Sequence, residues 1–158
     1  MAHALRAGSD TNTKVIVNVY FPLPLELEQV TEKWFMVIGG FDAIVEEDGK
    51  DDEVIHVPDG YLSNLASVPR LPFSSMLIGV GNRAAVTHDF LYASADRPRA
   101  WCDAVFLAGL QAIPEIKWYQ ARSMYLAVRA AGWAFYGKPS PDMPVLANYS
   151  DLGIPDHP

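Results

Sequence analysis

Past Arg70 the apolar residues change from strand-like runs to helical spacing, and this switch separates a β-forming front half from an α-forming back half. In the front half, Val15-Ile16-Val17-Asn18-Val19-Tyr20-Phe21 is rich in β-branched and aromatic residues, the profile of a buried strand that Pro22 and Pro24 stop. A second run, Trp34-Phe35-Met36-Val37-Ile38, passes through Gly39-Gly40 into Phe41-Asp42-Ala43-Ile44-Val45. A glycine pair between apolar runs signals a hairpin or bulge, so these two strands are expected to pair. The acidic stretch Glu46 to Asp52 reads as an exposed turn, and the alternation in Glu53-Val54-Ile55-His56-Val57 as a half-exposed strand ending at Pro58. The front half is thus expected to form a small antiparallel sheet.

In the back half, Asn82 is the expected N-cap of a helix from Arg83 to about Ala95, closed by Asp96-Arg97-Pro98. A second helix from about Arg99 to Ile113 places Trp101, Phe106, Leu107 and Leu110 at core-facing intervals, and Pro114 marks its end. A third, from roughly Glu115 to Tyr136, carries Trp118, Tyr125, Leu126, Val128, Ala131 and Trp133 as a broad apolar stripe before Gly137-Lys138-Pro139 ends it. The expected fold is α+β: one domain over residues 14–137, with the small sheet packed on about three helices. Residues 1–13 form a flexible polar lead. Residues 138–158, with Pro139, Pro141, Pro144, Pro155 and Pro158, form an extended tail.

Composition narrows the function classes. The chain of 158 residues is 50% apolar and 20% charged, a globular balance with material for one core. Its formal charge of −7 repels phosphate backbones, and no basic patch offsets it, so nucleic acid is not an expected partner. A single cysteine, Cys102, excludes an internal disulfide and a thiolate zinc cluster and suits a reducing cytosol. No signal peptide or membrane span is expected, because the longest apolar stretch, Met124 to Tyr136, is interrupted by Arg129.

The residues most suited to chemistry are His88 and Asp89 in Arg83-Ala84-Ala85-Val86-Thr87-His88-Asp89-Phe90-Leu91-Tyr92, and Asp103 on the following helix. The short connection favours antiparallel neighbours, which brings His88 and Asp103 within hydrogen-bond reach and turns Asp89 toward the preceding loop. Asp103 would then fix the imidazole tautomer, His88 would take a proton from water, and Asp89 would be open to a hard cation together with loop carbonyls. A buried polar pair that fixes helix register fits the same residues equally well.

Val57-Pro58-Asp59-Gly60-Tyr61, Leu65-Ala66-Ser67-Val68-Pro69-Arg70, His88-Asp89-Phe90-Leu91-Tyr92, Asp103 with Phe106, and Tyr125-Leu126-Ala127-Val128-Arg129 resemble, in that order, a phage and prophage family of unknown function. The resemblance runs from about Trp34 to Gly137. The chain has Ser63-Asn64 where that family usually has Thr-Asp, so one carboxylate is missing. Over about thirty residues the His-Asp-x-x-Tyr helix with a later helical Asp is also similar to phospholipase A2, especially the disulfide-free viral kind. That similarity implies His88 as general base, Asp103 as its orienting partner, Tyr92 as support and Asp89 as a calcium ligand, with Gly79-Val80-Gly81 in a calcium or oxyanion loop.

Other motifs read as structural. Gly79-x-Gly81 lacks the strand, helix and later acid of a dinucleotide fingerprint. Ser67 lies outside any nucleophile elbow. His56, His3 and His157 have no spaced ligands for zinc, and Cys102 packs as a small apolar residue. Two functions follow as expectations. The first is a phage virion or tail component with a vestigial dyad, present in the host cytoplasm during assembly and then in the virion. Its partners are other virion or tail proteins, or its own copies, held through the termini. The alternative is a calcium-assisted hydrolase of esters or lipids using His88, the one reading that needs a cofactor or a membrane.

Overall fold

The computed structural model describes residues 17–32, 34–65 and 79–137. Six strands come first: β1 Val17–Tyr20, β2 Glu26–Gln29, β3 Phe35–Ile38, β4 Phe41–Glu47, β5 Glu53–Val57 and β6 Leu62–Ser63. Three helices follow: α1 Asn82–Ser94, α2 Arg99–Gln111 and α3 Trp118–Ala131, the last running into a 3-10 turn at Gly132–Ala134. The fold is α+β, with strands in the front half and helices in the back half. The lead, the tail, His3, His157, Ser67 and the rest of the 66–70 segment lie outside the described residues.

The strands form two antiparallel sheets rather than the expected one, ordered β1-β4-β5 and β2-β3-β6. The Gly39-Gly40 pair accordingly closes no hairpin, because β3 and β4 on either side of it pair with different strands. Both glycines have positive φ, 74° and 68°. The Gly39 N–H donates to Asp59 Oδ1 at 2.7 Å, and a Cβ on Gly40 would lie 3.0 Å from the Val57 carbonyl. Anchored on the chain after β5, the pair steers the backbone from one sheet to the other, a path that glycine permits at little steric cost. Strand β2, with Glu26, Glu28 and Gln29 exposed, has no strand-like composition and owes its form to pairing with β3.

The alternation in β4 and β5 sends Phe41, Ala43, Val45, Ile55 and Val57 inward. Val19, Ala43, Val45 and Ile55 meet Leu91 and Tyr92 of α1 and Cys102, Val105 and Ala108 of α2, so this sheet is the floor beneath the first helix pair. Phe106, Leu110 and Ile113 join Ala121, Met124 and Val128 of α3 in a second cluster. Full burial of one such side chain stabilises the fold by about 1.5–3 kcal/mol.

Three helix details differ from expectation. Asn82 is the first helical residue rather than the cap: its Oδ1 accepts the Gly79 N–H at 3.1 Å, and Gly81 occupies the cap position. Helix α3 starts at Trp118, where Gln120 Oε1 accepts the Lys117 N–H at 2.8 Å, because tight turns occupy the residues after Gln111. Its core stripe is Ala121, Met124 and Val128, at i, i+3 and i+7, while Trp118, Leu126 and Trp133 of the expected stripe face solvent. Among the described residues no helix is long and apolar enough to cross a membrane.

Candidate functional site

Only Ala95 to Pro98 separates α1 from α2, and Ala95 turns the chain in the left-handed region with φ 51°. The two helices therefore lie side by side, and Gly109 lets them approach closely: a Cβ there would be 3.2 Å from that of Ala84. This contact brings His88 of α1 to Asp103 of α2, with His88 Nε2 3.0 Å from Asp103 Oδ1. The Tyr92 hydroxyl, one turn beyond His88, donates to the same oxygen at 2.5 Å. The His88 ring lies between Tyr92 and Phe106, at centroid distances of 4.0 and 4.7 Å.

The charge on Asp103 is balanced from two sides. Arg129 of α3 donates to Oδ2 at 2.8 Å, and Arg99, one turn before Asp103, lies 3.6 Å from it. Arg99 also donates to the Arg129 carbonyl at 3.1 Å, so one buried carboxylate ties all three helices. Burial pushes the Asp103 carboxyl up, but hydrogen bonds from His88, Tyr92 and Arg129 outweigh it and leave Asp103 below the ordinary carboxylate range. Burial dominates at His88 and lowers its imidazole below the ordinary histidine value despite Asp103.

These two directions fix the tautomer. An ionised Asp103 can only accept, so a neutral His88 must carry its proton on Nε2, leaving a bare lone pair on Nδ1. His88 Nδ1 is buried and, among the described residues, has no hydrogen-bond partner. A histidine whose far nitrogen is oriented by a carboxylate and whose near nitrogen is a free base has the polarity needed to take a proton from water.

Asp89 points the other way, onto β6. Ser63 Oγ donates to Asp89 Oδ2 at 2.6 Å, and the Leu65 N–H donates to Ser63 Oγ at 3.1 Å. Ser63 is buried, and Leu65 holds a positive φ of 54°, a strained value for a bulky residue. Burial pushes the Asp89 carboxyl up to about 7, with the Ser63 hydrogen bond opposing. Burial also raises the Tyr61 phenol, and the Asp89 charge adds to this.

The chain segment Gly79 to Gly81 does not join Asp89 in a cation loop. The Gly81 carbonyl accepts the Ala85 N–H at 3.0 Å as the first helical bond, and Asp89 lies about 12 Å further along the helix axis. Among the described residues no three His, Cys, Asp or Glu side chains converge as a metal site. The described residues gather no calcium site around Asp89. Gly79, Val80 and Asn82 instead line a cleft of about 450 Å³ with Pro24, Leu25, Leu27, Arg83, Ile113 and Glu115; neither His88 nor Asp89 reaches it.

Cys102 is buried beside the site with its thiol pushed up to about 11, by burial first and then by Asp103, which suits packing rather than attack. His56 stands apart on β5, exposed, with Nδ1 2.7 Å from Asp42 Oδ1. The sequence marks Arg129 as an interruption of an apolar run and as the end of a segment shared with the resembled family, and Ser63 as part of a departure from it, but pairs neither with a carboxylate and gives Arg99 no role. A lone arginine inside such a run was the available signal, since a buried charge calls for a partner.

The family model for proteins of unknown function called DUF1353 matches residues 41–128, more than half of the chain. The chain belongs to the DUF1353 family. No curated protein and no solved structure matches it. The DUF1353 match begins at β4, covers α1, α2 and most of α3, and includes His88, Asp89, Tyr92 and Asp103; Arg129 lies one residue beyond it.

Proposed function

We propose that this DUF1353 protein is a hydrolase in which His88 acts as general base on water, oriented by Asp103. The observation that carries the reading is the buried, unpartnered His88 Nδ1 opposite an Nε2 bound to Asp103. A histidine kept only to lock the helix register leaves that atom unsatisfied at a cost of about 1–3 kcal/mol with no return. A general base needs it bare. In the attacking step Nδ1 takes the water proton, the imidazolium charge is stabilised by Asp103, and Tyr92 and Arg129 hold Asp103 in place. Esters, lipid esters included, are the substrate class that the similarity to phospholipase A2 supports. Because the ring is only 1% exposed, substrate reaches Nδ1 after a covering group moves.

The test is a screen of ester and lipid-ester substrates with the purified protein and with His88→Ala, folding being followed by circular dichroism. Loss of a general base is expected to lower the rate by about 10²–10⁴-fold. The wild-type rate should fall with acid only below the ordinary histidine range, because the His88 pKa is lowered. A folded His88→Ala protein that hydrolyses as fast as wild type sinks the reading, as does a wild type that turns over none of these substrates.

The exposed aromatic side chains of α3 favour a second reading, a phage virion or tail component, because such surfaces mark association. On that reading His88→Ala changes stability alone, and assembled particles retain the protein.

A further inference from the structure

The outer face of α3 is built for another helix. Tyr119, Ser123, Leu126, Ala130 and Trp133 are all exposed and alternate large and small at steps of three and four residues, the spacing of a helix-packing seam. The order of sizes, aromatic, small, Leu, small, aromatic, reads the same in either direction about Leu126. Trp118 extends the face by packing edge-on against Tyr119, with centroids 5.9 Å apart. Among the described residues, α3 meets the core of its own chain through Ala121, Met124 and Val128.

We infer that this face pairs with the same face of a second copy, antiparallel, about a two-fold axis at Leu126. Two observations select a second copy. The first is charge: in a chain of net charge −7, residues 117–137 hold Lys117, Arg122 and Arg129 and no acid. The antiparallel arrangement places Arg122 of one copy beside Ala130 of the other, and Arg129 is turned inward to Asp103, so no two cations oppose each other across the seam. The second is area. Trp118, Tyr119, Leu126 and Trp133 are 75%, 54%, 54% and 69% exposed. At aromatic areas of 150–250 Å² they present roughly 550 Å² per copy, and pairing two faces buries about 1,100 Å², above the ~1,000 Å² that a specific interface needs. The inference is independent of the proposed hydrolysis.

The experiment is sedimentation velocity on the full chain across a concentration series, with Leu126→Glu in parallel. Wild type is expected to sediment at twice the chain mass, and Leu126→Glu, at an exposed position, to dissociate at least tenfold more readily with an unchanged circular dichroism spectrum. Mild oxidation of Leu126→Cys should give a disulfide-linked dimer, since the residue faces itself across the axis, while Cys102 stays buried. Tyr119→Cys and Trp133→Cys should each cross-link poorly alone but well when mixed. A wild type that remains monomeric throughout the series overturns the inference, as does a dimer indifferent to Leu126→Glu. Monomeric protein that binds phosphatidylcholine vesicles through this face also overturns it, assigning the face to lipid.

Discussion

His88 and Asp89 are adjacent in the chain and occupy opposite sides of α1, where the same physical force has been answered differently. Burial disfavours the charged form of each, lowering the imidazole and raising the carboxyl. On the helical side His88 meets Asp103, whose own charge is balanced by Arg129 and, at longer range, Arg99. On the sheet side Asp89 receives the hydroxyl of Ser63, which donates one hydrogen bond and no charge. The comparison shows that Asp103, buried with guanidinium partners, stays ionised and can orient a base, whereas at Asp89 burial outweighs the Ser63 hydrogen bond and holds the carboxyl up at about 7.

Removing the charged centre should break this contrast most severely. Asp103→Ala leaves Arg129 without its partner and strands the Nε2 of His88, so a loss of about 3–5 kcal/mol is expected in urea unfolding, enough to unfold many domains of this size. A loss below about 1 kcal/mol would show that the three helices do not depend on this carboxylate. A gentler disturbance comes from the outer wall of the same cluster. Gly132, just past α3, lies against Tyr92, and a Cβ there would collide with the Tyr92 hydroxyl. Gly132→Ala should therefore force Tyr92 off Asp103 at a cost of about 1–3 kcal/mol. Tyr92→Phe, which removes the same hydrogen bond without the collision, should cost about 1 kcal/mol. If Gly132→Ala is no more harmful than Tyr92→Phe, the helix end simply moves aside.

The His88–Asp103 contact was legible in the sequence because a four-residue connection leaves two helices little choice but to lie antiparallel. The partner of Asp103 on α3 was not. That helix carries apolar residues on more than one side: of the expected stripe Val128 is buried, but Trp118, Leu126 and Trp133 outweighed Ala121 and Met124 and pointed the stripe the wrong way. Choosing the wrong face hides Arg129 among solvated residues. The front half failed differently. Gly39-Gly40 has the local chemistry of a hairpin, and nothing local shows that Asp59, twenty residues later, takes the Gly39 N–H and sends β4 to another sheet. Strand β6 is two residues long, and its Ser63 matters through Asp89, twenty-six residues away.

A pH-dependent effect sharpens the comparison most, because it isolates the sheet side. Asp89 has an ordinary value of 3.8 and is raised to about 7 in the folded chain. Below about pH 4 it is protonated in both states and its burial costs nothing. Between pH 4 and 7 the unfolded chain releases the proton while the folded chain keeps it, so stability falls as pH rises and levels off above the folded value. Asp89→Asn removes this titration and can still accept the Ser63 hydroxyl. Relative to wild type, the variant should gain about 3–4 kcal/mol between pH 4 and pH 8 in urea unfolding, where Asp103→Asn should show no such gain. His88 runs in the opposite sense, since a lowered histidine withdraws stability as pH falls below 6.5, and it contributes equally to wild type and Asp89→Asn. The difference between those two curves therefore reports Asp89 alone, and a flat difference would place its carboxylate with Asp103, ionised and compensated.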